Sequence, residues 1–278
     1  MASPKPERGS ELEAVPPEEL LRPFREHPEG SALIFDVDGT LAPITTRPED
    51  AAVPEPTRAL LRRLEQRYAL VACISGRRAI EARRIVGIDS LAYVGNHGLE
   101  LLRAGAREAA TDPSLAALAA RVRAFATSRQ GDELERLGVR LEDKDSIWVF
   151  HWRGVPDEQA ARQELDRVAA EAEREGLVPH WGRKVLEIRP PLEADKGTAV
   201  EAALDGLEVG RALYAGDDTT DLDAFRKLRE LESAGRVRAI CVGVRSSEGP
   251  QAITAEADLV VEGPQGMFEL LESLVSPA

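Results

Sequence analysis

Four short apolar runs, at 32–35, 69–74, 91–94 and 212–215, each stop at an aspartate, a serine or a glycine, and no other feature constrains the fold of this chain as much. Runs of this length are too short for core helices, and their unbroken apolar character suits strands covered on both faces. Residues 57–67 carry leucines at 60, 61 and 64 with arginines between them, a helical spacing that leads straight into the second run. Strand, helix, strand requires a crossover, so these runs belong to one parallel sheet. The alternation returns late in the chain, with a helix at 197–204, a helix near 222–232, strands at 237–242 and 258–261, and a terminal helix from 265.

The stretch between has another character. Residues 115–125 read as an alanine-rich helix, and 139–141 and 147–152 alternate with period two around a turn at 143–146. A long charged helix at 157–175 and a strand at 185–188 precede Pro190-Pro191. Hairpin strands beside helices make a small α+β unit. The expectation is therefore an α/β protein whose parallel-sheet core, residues 31–104 and 191–278, is interrupted by an α+β unit at 105–190. Residues 1–30 are rich in Pro and Glu and read as a partly ordered leader with one short helical possibility at 17–24.

A net charge of −13 opposes binding to nucleic acid or an anionic membrane, so any phosphate must be held locally. No apolar run approaches the roughly 18–20 residues of a membrane span, and the first 20 residues lack the apolar stretch of a signal peptide. Cys73 and Cys241 sit inside apolar runs, where a small hydrophobe is buried in a reducing compartment. A soluble, cytoplasmic protein without disulfide or zinc is expected.

In open parallel sheets ligands bind beyond the carboxyl ends of the strands, and three strands here deliver polar residues to that edge: Asp36 and Asp38, Ser75, and Asp217 and Asp218. Phosphoryl transfer needs an in-line nucleophile, a proton donor for the leaving oxygen, fixed hydrogen bonds to the phosphate and a cation. Asp36, last in its strand, is the candidate nucleophile. Asp38 is the candidate acid and then base. Gly39 frees the turn, and Thr40 is expected to hold it by a local hydrogen bond. Ser75 and Gly76 suit a phosphate oxygen, and Lys196 offers a compact cation. Asp36, Asp38 and Asp217, with Asp218 or Asp221 in support, make an oxygen shell suited to Mg2+.

The set Asp36-Val37-Asp38-Gly39-Thr40-Leu41, strand-end Ser75, Lys196-Gly197 and Gly216-Asp217-Asp218-x-x-Asp221 resembles the four motifs of the haloacid dehalogenase superfamily, in order. The resemblance implies a Rossmann-like core, a mobile cap inserted between the second and third motifs, and Mg2+-dependent hydrolysis of a phosphate ester. Within that superfamily, several further segments are similar to the trehalose-6-phosphate phosphatases: Ser75-Gly76-Arg77, Gly95-Asn96-His97-Gly98-x-Glu100, Glu142-Asp143-Lys144, His151-Trp152-Arg153, Glu187-Ile188-Arg189-Pro190 and Gly216-Asp217-Asp218-Thr219-Thr220-Asp221. This similarity covers most of 31–270 and implies a sugar-phosphate substrate, with disaccharide recognition on cap residues Glu142, Lys144, Arg153 and Glu187. Arg77, Asn96 and His97 would stand at the core edge near the phosphate-bearing sugar. Where the family often has Gly-Lys, this chain has Gly182-Arg183-Lys184, so either Arg183 or Lys184 fills that role. The activity implied is conversion of trehalose 6-phosphate to trehalose, the last step of trehalose biosynthesis, with a metabolic link to a trehalose-phosphate synthase. Phosphatases for sucrose phosphate or mannosyl phosphoglycerate, a phosphomutase, and an inactive sugar-phosphate-binding regulator are the rival readings.

Some of these residues have plainer roles. Trp148 and Trp152 share parity and belong to a small core rather than to a sugar platform. His151 reads as a cross-strand partner. Glu142 and Lys144, also of one parity, would make a weak surface pair.

Overall fold

The computed structural model describes residues 16–276 apart from 111, 112, 130, 145, 193, 247 and 248. In chain order, β1 (Ser31–Asp36), β2 (Leu70–Ile74), β3 (Ala92–Gly95) and β4 (Glu100–Leu102) come first. Next come β5 (Arg140–Asp143), β6 (Trp148–His151), β7 (Val178–Gly182) and β8 (Val185–Arg189), and then β9 (Arg211–Gly216), β10 (Arg238–Arg245) and β11 (Leu259–Glu262). The first and last groups form one seven-stranded sheet in the order β11-β10-β9-β1-β2-β3-β4, and the middle group forms a four-stranded sheet in the order β5-β6-β8-β7. Every pairing in the large sheet is parallel except β3 with β4, and every pairing in the small sheet is antiparallel.

Strand β1 lies mid-sheet and is buried along its whole length. Its period of two sorts side chains to opposite faces. Leu33 and Phe35 pack with α1 (Pro17–Glu26), α2 (Glu55–Glu65), α3 (Ala79–Val86) and α10 (Gly263–Val275), whereas Ala32 and Ile34 pack with α7 (Lys196–Leu204) and α8 (Asp221–Ser233). The short α9 (Gln251–Glu256) adds Ile253 to the second face.

Residues 1–15 of the expected leader lie outside the described residues. The short helix expected at 17–24 is present as α1, and it docks on the main core, where Leu21 and Phe24 are buried. Burial of two such side chains contributes about 1.5–3 kcal/mol each, enough to dock a helix only three turns long.

In the small sheet, Trp148, Phe150, Leu186 and Ile188 pack against α4 (Pro113–Ser128), α5 (Asp132–Arg136) and α6 (Glu158–Arg174) in a core of their own. Trp148 and Trp152 are core residues, as their parity requires. The opposite face carries two cross-strand rows, Glu142–Val149–Glu187–His180 and Arg140–His151–Val185–Gly182. Val149 in the first row is buried, while Glu187, Val185 and His180 line a cavity together with the strand ends of the large sheet. Strand β7 was not expected from the sequence, since Pro179 lies within it; as an edge strand it tolerates the missing donor.

Candidate active site

The turn after β1 is closed on itself, with Gly39 N donating to the Ala42 carbonyl at 2.8 Å and Ala42 N to the Val37 carbonyl at 2.8 Å. Gly39 has φ +89°, and a Cβ there would lie 2.2 Å from Asp217 Oδ2, so only glycine lets the β1 turn and the β9 turn meet. Thr40 corrects an expectation: its hydroxyl reaches Asp217 Oδ1 at 3.4 Å, across 177 residues, instead of bonding locally.

Helix α7 begins at Lys196 behind a capping box of Asp195 and Thr198. A lysine at a helix N-terminus faces the positive end of the dipole, so another force must hold it there. That force is two carboxylates: Lys196 Nζ donates to Asp36 Oδ1 at 2.7 Å and to Asp221 Oδ1 at 2.6 Å, with all three side chains buried. Burial opposes the charge on Lys196, but Asp221 and Asp36 outweigh it and hold its pKa above the ordinary lysine range. Asp221 also accepts from Tyr214 Oη at 2.5 Å and from the backbone N–H of Asp217 at 3.0 Å and of Asp218 at 2.9 Å. Its two oxygens thus take four donors, which fixes both Lys196 and the turn after β9.

Asp36, Asp217 and Asp221 each offer an oxygen within 4.8 Å of the others. Burial first, and then the neighbouring carboxylates, raise Asp36 well above the usual range; burial and the Asp221 charge lift Asp217 to about 7. Asp38 and Asp218 stand outside this cluster. The Asp218 carboxylate accepts from Thr219 N at 2.7 Å and is exposed. Asp38 is gripped by Arg77, with Nε to Oδ2 and Nη2 to Oδ1 both at 2.8 Å. Ser75 is buried at the end of β2, and its hydroxyl accepts from Arg77 N at 3.1 Å.

A cavity of about 330 Å³ joins these residues to the small sheet. Asp36, Asp38, Ser75, Gly76, Lys196 and Asp217 line it from the large sheet, and Lys144, His180, Arg183, Glu187 and Arg189 from the small one. An adjoining cavity of about 870 Å³ shares Asp38, Arg77, His180 and Arg183 and adds Arg153, Trp181 and Ile44.

Other residues singled out from the sequence lie elsewhere. Asn96 is fully buried and lines neither cavity; its Nδ2 donates to Glu100 Oε1 at 2.7 Å and to the Lys144 carbonyl at 3.0 Å. The side chain of His97 lies outside the described ones. Glu142 bonds His151 Nε2 at 2.7 Å across the strands, which holds its carboxyl below the usual range. Lys184 pairs with Glu158 and sits 4.5 Å over the Trp152 ring, pointing into its own sheet's packing, while Arg183 lines both cavities. The geometry therefore separates these two cations, which the sequence left equivalent.

His180 and Tyr214 were missed, and Arg189 was noted only within a family-like segment, without a role. Arg189 pairs with Glu187 at 2.6 Å. His180 is pushed below its ordinary pKa by burial and by the Arg189 charge. The signal for Tyr214 was a hydroxyl inside an otherwise apolar strand, which must find a partner when buried.

The sequence pattern of the family described as Trehalose-phosphatase matches residues 34–259. A trehalose-phosphate phosphatase of Mycobacterium avium is 33% identical over 253 residues, covering 87% of this chain and 61% of that protein. A trehalose 6-phosphate phosphatase of Zea mays is 31% identical over 263 residues, covering 88% of this chain and 69% of the other. This chain thus spans about three fifths of the length of the Mycobacterium avium relative. Among solved structures, the C-terminal domain of C. albicans trehalose-6-phosphate phosphatase superposes with a TM-score of 0.72 at 20% identity over 93% of this chain and 96% of the other, a likeness of fold. A haloacid dehalogenase-like hydrolase from Bacteroides thetaiotaomicron gives 0.59 at 14% identity, covering 87% of this chain and 98% of that one. Pattern, relatives and fold agree with the strand-end constellation, and the chain belongs to the trehalose-phosphatase family.

Proposed function

We propose that this chain hydrolyses trehalose 6-phosphate to trehalose and phosphate through an aspartyl-phosphate on Asp36. The observation that carries the reading is the single cavity in which Asp36, Ser75, Lys196 and Asp217 face the charged open face of the small sheet. Asp36 attacks phosphorus, Ser75 and Lys196 hold the phosphate oxygens, and Asp38 gives a proton to the departing sugar oxygen. Asp38 then takes a proton from the water that releases phosphate and restores Asp36. The small sheet acts as a cap whose Lys144, Arg153, Arg183 and Glu187 bond sugar hydroxyls, groups that an apolar wall would leave unpaired.

The donor set fits Mg2+. Three buried carboxylates face one lysine, so negative charge remains uncompensated. Asp221 already accepts four hydrogen bonds, which leaves Asp36 and Asp217 to hold the ion, with waters completing the shell. Bound there, it would neutralise the phosphate and the attacking carboxylate together.

Among the described residues no helix is long and apolar enough to cross a membrane. Cys73 and Cys241 are buried free thiols, compatible with the cytoplasmic setting that we propose, where a trehalose-phosphate synthase would supply the substrate. Phosphate release from a panel of sugar phosphates tests the reading. Turnover of sucrose phosphate or mannosyl phosphoglycerate with none of trehalose 6-phosphate would overturn the substrate, and binding without turnover would overturn the enzyme.

A further inference from the structure

We propose that Glu81, acting through Arg77, is a positioning residue that aims Asp38 at the leaving oxygen; this rests on the phosphatase reading above. The backbone of Asp38 is fixed by its bridge to Ala42, but its side chain is one-third exposed and free to turn about two bonds. What stops it is the Arg77 fork, which takes both carboxylate oxygens in one plane. A fork orients its partner only if it is itself held. The third nitrogen of Arg77, Nη1, donates to Glu81 Oε1 at 3.0 Å and to the Pro48 carbonyl at 3.1 Å. The guanidinium is thus pinned on both sides, with only 16% of the Arg77 side chain exposed.

Glu81 suits this task by its place in the chain. It lies one helical turn after Arg77, in the first turn of α3, where the helix dipole favours a carboxylate and side chains four residues apart meet. It lines neither cavity, whereas Arg77, which it holds, lines both. Its effect on the reaction passes through Arg77 alone. Arg77 itself lines both cavities, and its fork leaves each Asp38 oxygen a second lone pair for the proton in transit.

The step affected is the first. A bond forms between an Asp36 oxygen and phosphorus, the bond from phosphorus to the sugar oxygen breaks, and the proton on Asp38 passes to that oxygen. A sugar alkoxide needs this proton, whereas 4-nitrophenolate departs without one. The value of kcat/KM, which reports events up to the first irreversible step, therefore separates aiming of Asp38 from general damage.

In the Glu81→Ala variant the ratio of kcat/KM on trehalose 6-phosphate to that on 4-nitrophenyl phosphate is expected to fall about tenfold, part of the rate that a positioned proton donor supplies. Glu81→Gln keeps an acceptor for Nη1 and is expected to restore most of the ratio. An equal fall on both esters, or an unchanged ratio in both variants, overturns the role of Glu81 while leaving the phosphatase reading intact. If the unsubstituted protein hydrolyses neither ester, the phosphatase reading falls and takes this role with it.

Discussion

The side-chain amide of Asn96 donates to the backbone carbonyl of Lys144 at 3.0 Å and so ties the edge of the large sheet to the turn between β5 and β6. Asn96 holds φ +48°, a left-handed conformation, and Glu100 anchors the same amide from the other side. Lys144 projects from that anchored turn into the cavity that Asp36 also lines. Glycine tolerates the same φ, so Asn96→Gly removes the amide without adding backbone strain. The variant is expected to raise KM for trehalose 6-phosphate about tenfold, the worth of one well-placed hydrogen bond to a charged group, with a smaller change in kcat. Steady-state kinetics decide; a fall in kcat at constant KM would place Asn96 in the chemistry instead.

Lys196 and Tyr214 meet on Asp221, and they are expected to differ in what their loss does. Lys196→Met leaves Asp36 and Asp221 buried without their cation and is expected to lower stability by about 3–5 kcal/mol as well as stop turnover. Tyr214→Phe removes one of four donors to Asp221 and is expected to cost about 1–3 kcal/mol with turnover reduced. Denaturant titration of both variants checks the order; equal losses would contradict it.

Asp217 makes stability depend on pH with an unusual sign. Its folded pKa of about 7 exceeds the ordinary 3.8, because of burial and then the Asp221 charge. Between those values the folded protein binds more protons than the unfolded one, so stability falls as pH rises through that window. In chelator, the unsubstituted protein is expected to lose several degrees of Tm between pH 5 and pH 8, at about 2–4 °C per kcal/mol. Asp217→Asn should flatten that slope while abolishing turnover, and added Mg2+ should raise Tm only where Asp217 is present. Thermal melts across pH, with and without Mg2+, read the three effects on Tm, and phosphate release reads the loss of turnover.

Arg183 and Lys184 are adjacent yet have different surroundings, the one lining both cavities and the other paired with Glu158. Arg183→Ala is expected to raise KM for the sugar phosphate several-fold, because Arg183 lines both cavities. Lys184→Ala breaks the pair with Glu158 and the contact with Trp152 and is expected to cost about 0.5–2 kcal/mol of stability with little change in KM. Paired kinetic and melting measurements distinguish the two; a reversed pattern would move the sugar contact to Lys184.

How much of this was legible in the sequence depended on the range of the physics. The stops at Asp36, Ser75 and Gly216 were visible because a parallel strand leaves a continuous apolar run and an abrupt end. The two faces of the small sheet were partly visible, since parity put Trp148 and Trp152 on one side of their strand and Glu142 with Lys144 on one side of theirs, but only the register between the strands sets the two pairs against each other. The helix at Pro17–Glu26 was legible as a short helical stretch at 17–24, but its docking was not, because Leu21 and Phe24 declare themselves only once a core exists to receive them. Thr40 and Asn96 were each read as acting locally or on substrate, and each instead reaches across the fold to Asp217 and Lys144. Such partners are set by the meeting of distant turns, which no local pattern encodes. Strand β7, and His180 with it, was lost to Pro179.

The two rows of the small sheet's open face, Glu142–Val149–Glu187–His180 and Arg140–His151–Val185–Gly182, hold the chain's options for change. Each strand contributes one residue to each row, and the scaffold's apolar packing lies wholly on the reverse face. Substitutions at His180, Val185 and Glu187, which line the cavity, therefore leave the layer that keeps the unit folded undisturbed. A lineage carrying this sheet can reshape the cavity wall by single substitutions, while Asp36 and Asp217, housed in a different layer, pass through unaltered.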